Sequence, residues 1–231
     1  ELPITLDALL FGKHSDGTVE TIDTSIPNTL ETTAALTKVY MNDNVIKLSN
    51  NTFQRFTYLI KLDVKGNTTK LSKIENKKFE KRNLRTNSNS FVLNTLFFDV
   101  YSDTNEIILN VFDTDSDAII KNFHIKAGDS IPFKNTPFIH EVVNTNSYRE
   151  LEKTARFIRK VNSSNIGISA YPYKDYYILT LGASEKIQSG ELAIIGGVLG
   201  GMIGAAVFSA FDSYNRTQST RIECIFDQQF N

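Results

Sequence analysis

Tryptophan is absent from the chain, and Cys224 is its only cysteine. One thiol excludes an internal disulfide framework and any zinc site built on several cysteines. Histidine is scarce too, with His14, His124 and His140 making up the whole set. Neither sign of charge dominates. Lys and Arg number 25 against 26 Asp and Glu in 231 residues, which argues against a dedicated nucleic-acid binder. Hydrophobic residues make up 41% and charged residues 22%, so whole-chain disorder, collagen and coiled-coil arrays are excluded. No Walker A sequence, no G-x-G-x-x-G after a strand and no G-x-S-x-G occurs. The length suits one large domain or two small ones. Glu1 in place of Met is what a processed or cut chain start presents.

The near-zero net charge hides a polarity along the chain. Residues 1–35 hold six acids (Glu1, Asp7, Asp16, Glu20, Asp23, Glu31) and one base, Lys13, a balance of −5. Residues 61–85 hold nine bases and three acids, a balance of +6. Two solvated faces would produce this pattern. So would an acidic arm docked on the basic segment, or a basic segment that meets an anionic partner. The cluster Lys77, Lys78, Lys81, Arg82 and Arg85 is the candidate contact for such a partner.

From Leu36 to Val143 the chain reads as β. Phe56, Tyr58, Ile60, Leu62 and Val64 alternate with Thr57, Leu59, Lys61 and Asp63, the period of a half-buried strand. Phe91–Tyr101 is rich in aromatic and β-branched residues and predicts one strand. Ser102–Asn105 and Asp113–Asp117 then serve as turns in a meander that continues to Ile125. Short strands with polar turns suggest an antiparallel sandwich or barrel over 36–143.

The pattern changes after that. Ser147 and Glu150 form an S-x-x-E capping box, and Tyr148, Leu151, Ala155 and Ile158 recur at helical spacing, predicting a helix over about 148–161. A hairpin is expected around Pro172–Asp175, and a last strand over Thr220–Phe226. The fold class is therefore α+β and mainly β. It comprises an acidic arm (1–35), an antiparallel β domain (36–143) and a smaller α+β part (144–231).

One segment departs from ordinary globular sequence. Leu192–Phe211 is twenty residues long without a charge, enough for a helix of about 30 Å, the hydrocarbon thickness of a bilayer. Gly196, Gly200 and Gly204 recur every fourth residue, and Gly197, Gly201 and Ala205 repeat the spacing one residue later. Each interior glycine costs a helix roughly 1 kcal/mol relative to Ala. Close helix packing against the bare strip offsets that cost. The repeat resembles the glycine-zipper segments of envelope and pore-forming proteins, and the resemblance covers residues 192–211 alone. It implies a long apolar helix over about 191–212, partnered by protein chains or copies of itself, and a membrane. A helix apolar all round belongs to a membrane or, as the alternative, to a soluble core.

Candidates for chemistry are sparse. His14 sits in a turn-like Gly-Lys-His-Ser-Asp-Gly. His140-Glu141 starts like H-E-x-x-H but lacks the second His. Asp113, Asp115 and Asp117 match the first acidic positions of a calcium loop, yet Ala118 and His124 replace its Gly and Glu, which excludes an EF-hand and leaves a looser site. Cys224 lies on the apolar face of its strand and reads as a buried thiol. No nucleophile–base pair or metal cluster emerges, and no cofactor is implied. The expectation is a non-enzymatic cell-envelope component, anchored in a membrane or held in a multi-protein assembly by the glycine-rich helix. The alternative is a secreted or periplasmic soluble β-sandwich module for glycan or peptide, with that helix buried in its core.

Overall fold

The computed structural model describes residue 5 and residues 18–53, 56–75, 86–142, 147–187 and 216–231. These fold mainly into strands. β1 (Glu20–Ile22) and α1 (Leu30–Thr33) lead into β2 (Thr37–Asn42), β3 (Val45–Asn50), β4 (Phe56–Asp63) and β5 (Thr68–Glu75). β1 joins β2 in parallel, and the rest form an antiparallel meander, so the first sheet runs β1-β2-β3-β4-β5. β6 (Asn87–Leu93), β7 (Leu96–Ser102), β8 (Glu106–Asp113) and β9 (Ile119–Lys126) form a second meander. β10 (Phe138–Val142), β11 (Ser147–Leu151), α2 (Thr154–Ser163), β12 (Asn165–Tyr173), β13 (Tyr176–Ile187) and β14 (Arg216–Asp227) complete the chain. They build a third sheet in the order β11-β10-β14-β13-β12.

The expected meander is present, with one more turn than the sequence suggested. The aromatic run 91–101 is two strands. Asn94 stands at φ 53° and opens the two-residue turn between Leu93 and Leu96. Asp43 at φ 49° and Lys174 at φ 54° begin the corresponding turns of the β2–β3 and β12–β13 hairpins. Asn and Asp tolerate this left-handed backbone better than most residues.

The helix expected over 148–161 begins later. Residues 147–151 pair with β10, setting Leu151 opposite Phe138 and Arg149 opposite His140. The capping-box residues Ser147 and Glu150 are thus in a strand, and the helix starts at Thr154, whose hydroxyl donates to the carbonyl of Asp129 at 2.6 Å. The unpaired side of β10 outweighs a capping signal that stabilises a helix by about 1 kcal/mol. The hairpin around 172–175 and the last strand are both present, and both are longer than expected.

One buried apolar cluster runs from Ile22 to Phe230. Phe123 of β9 lies 5.0 Å from Phe226 of β14, and Phe98 of β7 lies 5.8 Å from Phe230, so the second and third sheets share a core. Phe157 of α2 stacks on Phe138 at 4.9 Å and is fully buried with Ile158 and Val161. Tyr40 meets Phe91 edge-on at 5.7 Å, which joins the first sheet to the second. The glycine-rich helix expected over 191–212 lies outside the described residues. Among the described residues no helix is long and apolar enough to cross a membrane.

Candidate functional site

The three sheets meet along a polar seam. Lys38 of β2 is completely buried, and its Nζ donates to the carbonyls of Thr33 (3.2 Å) and Ala35 (2.5 Å) at the end of α1 and to Asn89 Oδ1 (2.5 Å). None of these acceptors is a carboxylate. Burial without a counter-charge pulls the ammonium down to about 7. Asn89 Nδ2 donates to the carbonyls of Ala34 (3.1 Å) and Ile166 (2.7 Å). Asn87 Nδ2 reaches the carbonyls of Asn162 (2.7 Å) and Ser164 (3.1 Å). Side-chain amides of β6 therefore satisfy main-chain oxygens of α1, α2 and β12, where no strand ladder connects them.

A second chain of bonds continues inward. Ser90 Oγ donates to Asn51 Oδ1 (2.5 Å), Asn51 Nδ2 to Thr57 Oγ1 (2.9 Å), and Thr57 Oγ1 to Asp99 Oδ1 (2.7 Å). Asp99 is fully buried, and desolvation raises its carboxyl to about 7. Lys38 and Asp99 were not singled out from the sequence. Each left a trace there. Asp99 is the lone charge in the aromatic run 96–101, and Lys38 shares the parity of the buried Tyr40.

Beside the seam opens a cavity of about 1030 Å³. Its apolar wall includes Leu36, Phe53, Phe56 and Ile166, and its polar wall includes Asn51, Thr52, Ser88 and Asn165. Three other wall residues have a particular place in the chain. Thr18 follows segment 6–17, Thr86 follows segment 76–85, and Lys186 is the second-last residue before segment 188–215. The acidic arm, the basic cluster and the apolar run are thus all rooted at one cavity.

A smaller cavity of about 330 Å³ lies where α1 crosses the third sheet, among Glu31, Glu141, Arg221 and Glu223. Arg221 bonds Glu141 and lies 3.6 Å from Glu223, so its guanidinium is already engaged.

Gly196, Gly197, Gly200, Gly201, Gly204 and Ala205 lie outside the described residues, as do Lys77, Lys78, Lys81, Arg82, Arg85 and His14. The aspartates of the calcium candidate are described, and each is engaged by protein. Asp113 Oδ1 accepts from the main-chain N–H of Ser116 (2.8 Å) and Asp115 (3.2 Å) and from Ser116 Oγ (2.7 Å). Those bonds hold its carboxyl below the usual range. Asp115 pairs with Lys61 at 2.6 Å and Asp117 with Lys70 at 2.8 Å. The turn fastens β8 and β9 to the first sheet. Among the described residues, no group of three or more His, Cys, Asp or Glu stands close enough to hold a metal ion.

His124 pairs with Glu106, and His140 Nδ1 stands 2.8 Å from the Thr220 hydroxyl, with burial lowering its affinity for a proton. Cys224 is fully buried, and its thiol is pushed up to about 12, far from a reactive thiolate. No family model matches the sequence, and no curated protein or solved structure matches it either.

Proposed function

We propose that this chain is a non-enzymatic cell-envelope component, held to a membrane or to a multi-protein assembly through the apolar run 192–211. The observation that carries this reading is the register of β13 and β14. Their pairing is unbroken from Tyr176↔Asp227 to Ile187↔Arg216. The two ends of segment 188–215 are therefore attached at adjacent positions, Ile187 and Arg216, one strand spacing of about 5 Å apart. Both attachment points lie at one end of a sheet, which favours a role for the run outside the core over burial within it.

The same register constrains how the run meets a bilayer. A single crossing helix puts its ends about 30 Å apart on opposite sides. Residues 188–191 and 212–215 give four on each side of the run, together about 28 Å of fully extended chain. A single crossing would draw these linkers back through the hydrocarbon with their backbone groups unpaired, which a bilayer does not tolerate. The reading is insertion through one face, with both ends and the β body on that side. Glycine-rich packing then acts within the inserted segment or between copies.

Flotation with liposomes tests this. The full chain is compared with a variant in which an Asn-Gly turn replaces residues 188–215 between Ile187 and Arg216, a closure that suits an antiparallel pair. The expected result is that the full chain floats and the variant, with unchanged circular dichroism, sediments. A full chain that stays monodisperse without detergent and does not float overturns the reading, in favour of a soluble glycan- or peptide-binding β-sandwich module.

A further inference from the structure

We propose that the outer face of the third sheet binds a neutral oligosaccharide, whose sugar rings lie on the tyrosines of the β12–β13 hairpin and whose end enters the cavity at the α1 crossing. The proposal does not depend on the membrane reading.

Alternation fixes what this face presents. Ala170, Leu179, Cys224 and Phe226 are buried in the core, so the residues between them on β12, β13 and β14 point the other way. Tyr173 lies opposite Tyr176, and Tyr176 opposite Asp227. In the next outward row Tyr171 lies opposite Ile178, and Ile178 opposite Ile225. Tyr173 is 52% exposed, Tyr176 50% and Ile225 48%, while Tyr171 and Ile178 are half-buried. The core does not use these side chains, and they form an open aromatic platform.

The polar half continues along the same strands. Thr180 and Glu223 form the next row and reach the wall of the 330 Å³ cavity. Beyond Gly182, Ser184 lies opposite Ser219, and Ser219 opposite Glu141, all three in that wall. Ser184 is 5% exposed, and among the described residues its hydroxyl has no hydrogen-bond partner. A hydroxyl buried that deeply and turned into a cavity awaits a partner from outside the chain.

Charge and chemistry select the class of ligand. Glu31, Glu141 and Glu223 line the cavity, and Asp227 ends the tyrosine row. Arg221 is already held by Glu141 and Glu223. This surplus of carboxylates repels phosphate, which disfavours nucleic acid and anionic lipid. Among the described residues the carboxylates are also too widely spread to share a metal ion. A neutral sugar suits both halves. Its hydroxyls donate to carboxylates and exchange bonds with Ser and Thr. Its C–H face, slightly positive, lies on the negative face of an aromatic ring. An apolar protein surface would cover the tyrosines and leave the cavity's polar groups unsatisfied. From Tyr176 to Ser184 the strand runs about 27 Å, the length of several sugars rather than one. The tyrosine row is also the end of the β13–β14 pair opposite Ile187 and Arg216. It is about 37 Å from the root of the apolar run, so both can be engaged at once.

Isothermal titration calorimetry of the full chain in a sugar-free detergent tests the proposal. The neutral probes are cellohexaose, chitohexaose and mannohexaose, and the anionic probe is the hexamer of galacturonic acid. The expected result is that at least one neutral hexasaccharide binds and the galacturonate does not. Tyr176→Ala and Ser184→Val should each weaken binding roughly tenfold or more, with unchanged circular dichroism. The trisaccharide of the same sugar should bind at least about tenfold more weakly, because it cannot span both halves. Failure of all three neutral hexamers, preference for the galacturonate, or binding that survives Tyr176→Ala overturns the proposal. So does a dimer in sedimentation that Tyr176→Asp dissociates, because the platform is then covered by a second copy. Flotation is read separately, so either proposal can fail without the other.

Discussion

Gly167 of β12 and Gly182 of β13 stand opposite one another in the third sheet, and Leu30 of α1 rests on both. A Cβ at Gly182 would come 2.0 Å from the Thr220 carbonyl oxygen, 2.8 Å from Arg221 Cα and 2.9 Å from a Leu30 methyl. A Cβ at Gly167 would meet the Leu30 carbonyl at 3.0 Å and the Thr33 hydroxyl at 3.2 Å. The bare pair lets α1 approach the sheet closely enough for its carbonyls to reach Lys38.

Substitution at the two glycines should therefore differ in severity. Gly182→Ala presses on main chain, which cannot yield, and is expected to cost about 3 kcal/mol or more, the upper end of overpacking. Gly167→Ala asks for a shift of tenths of an ångström and is expected to cost about 1 kcal/mol. Urea denaturation of both variants checks the order. Equal, small losses would show that α1 moves away without penalty.

The two buried ionisable groups set opposite slopes of stability with pH. Asp99 has a folded value near 7 against 3.8 when exposed, so its contribution is full below about pH 4 and lost as pH rises to about 7. Lys38 has a folded value near 7 against 10.5, so its contribution is full above about pH 10.5 and lost as pH falls to about 7. Each slope is about 1.4 kcal/mol per pH unit. Stability measured by urea titration from pH 4 to 10 should pass through a minimum near neutrality. Asp99→Asn should flatten the acid limb and Lys38→Met the alkaline limb. A wild-type profile with its maximum near pH 7 would contradict both assignments.

Phe157 ties α2 to the core through its stack on Phe138. Phe157→Ala should cost about 3–5 kcal/mol, the range for emptying a buried aromatic site. The loss should appear in thermal unfolding without change in the far-ultraviolet signature of the sheets. A loss below about 1 kcal/mol would mean that the site collapses around the missing ring.

The second sheet should be the slowest part of the chain to exchange its amide hydrogens. Phe98, Val100, Ile107, Leu109 and Val111 are all fully buried there, and protection follows buried packing. Native-state hydrogen exchange resolved by residue would reveal a different foldon if β2–β5 proved slower.

Alternation and turn chemistry made much of this architecture legible. Phe56–Asp63, the β7–β9 meander, the hairpin around Lys174 and the strand through Cys224 all follow from them. The turn at Asn94 was hidden because aromatic residues flank it on both sides and no glycine marks it. β11 was misread as the start of a helix because its pairing with β10 is a tertiary fact, invisible in the local signals of Ser147 and Glu150. The seam was harder still. Lys38 and Asn89 lie 51 positions apart, and no periodicity announces that an ammonium on one strand will meet an amide on another. Nor does the sequence show that Thr18, Thr86 and Lys186 share one wall.

The asparagines of β6 have one more consequence, which concerns how molecules could join. An outer strand normally offers a row of free main-chain groups on which another strand can grow. On the β6 side of the second sheet that approach is occupied, because Asn87 and Asn89 are bonded to the carbonyls of Asn162, Ser164 and Ile166. On the other side, β9 has a single neighbour among the described residues, and Ile119 and Ile120 face water. Growth of this sheet by strand addition is blocked on its β6 side by those side-chain bonds.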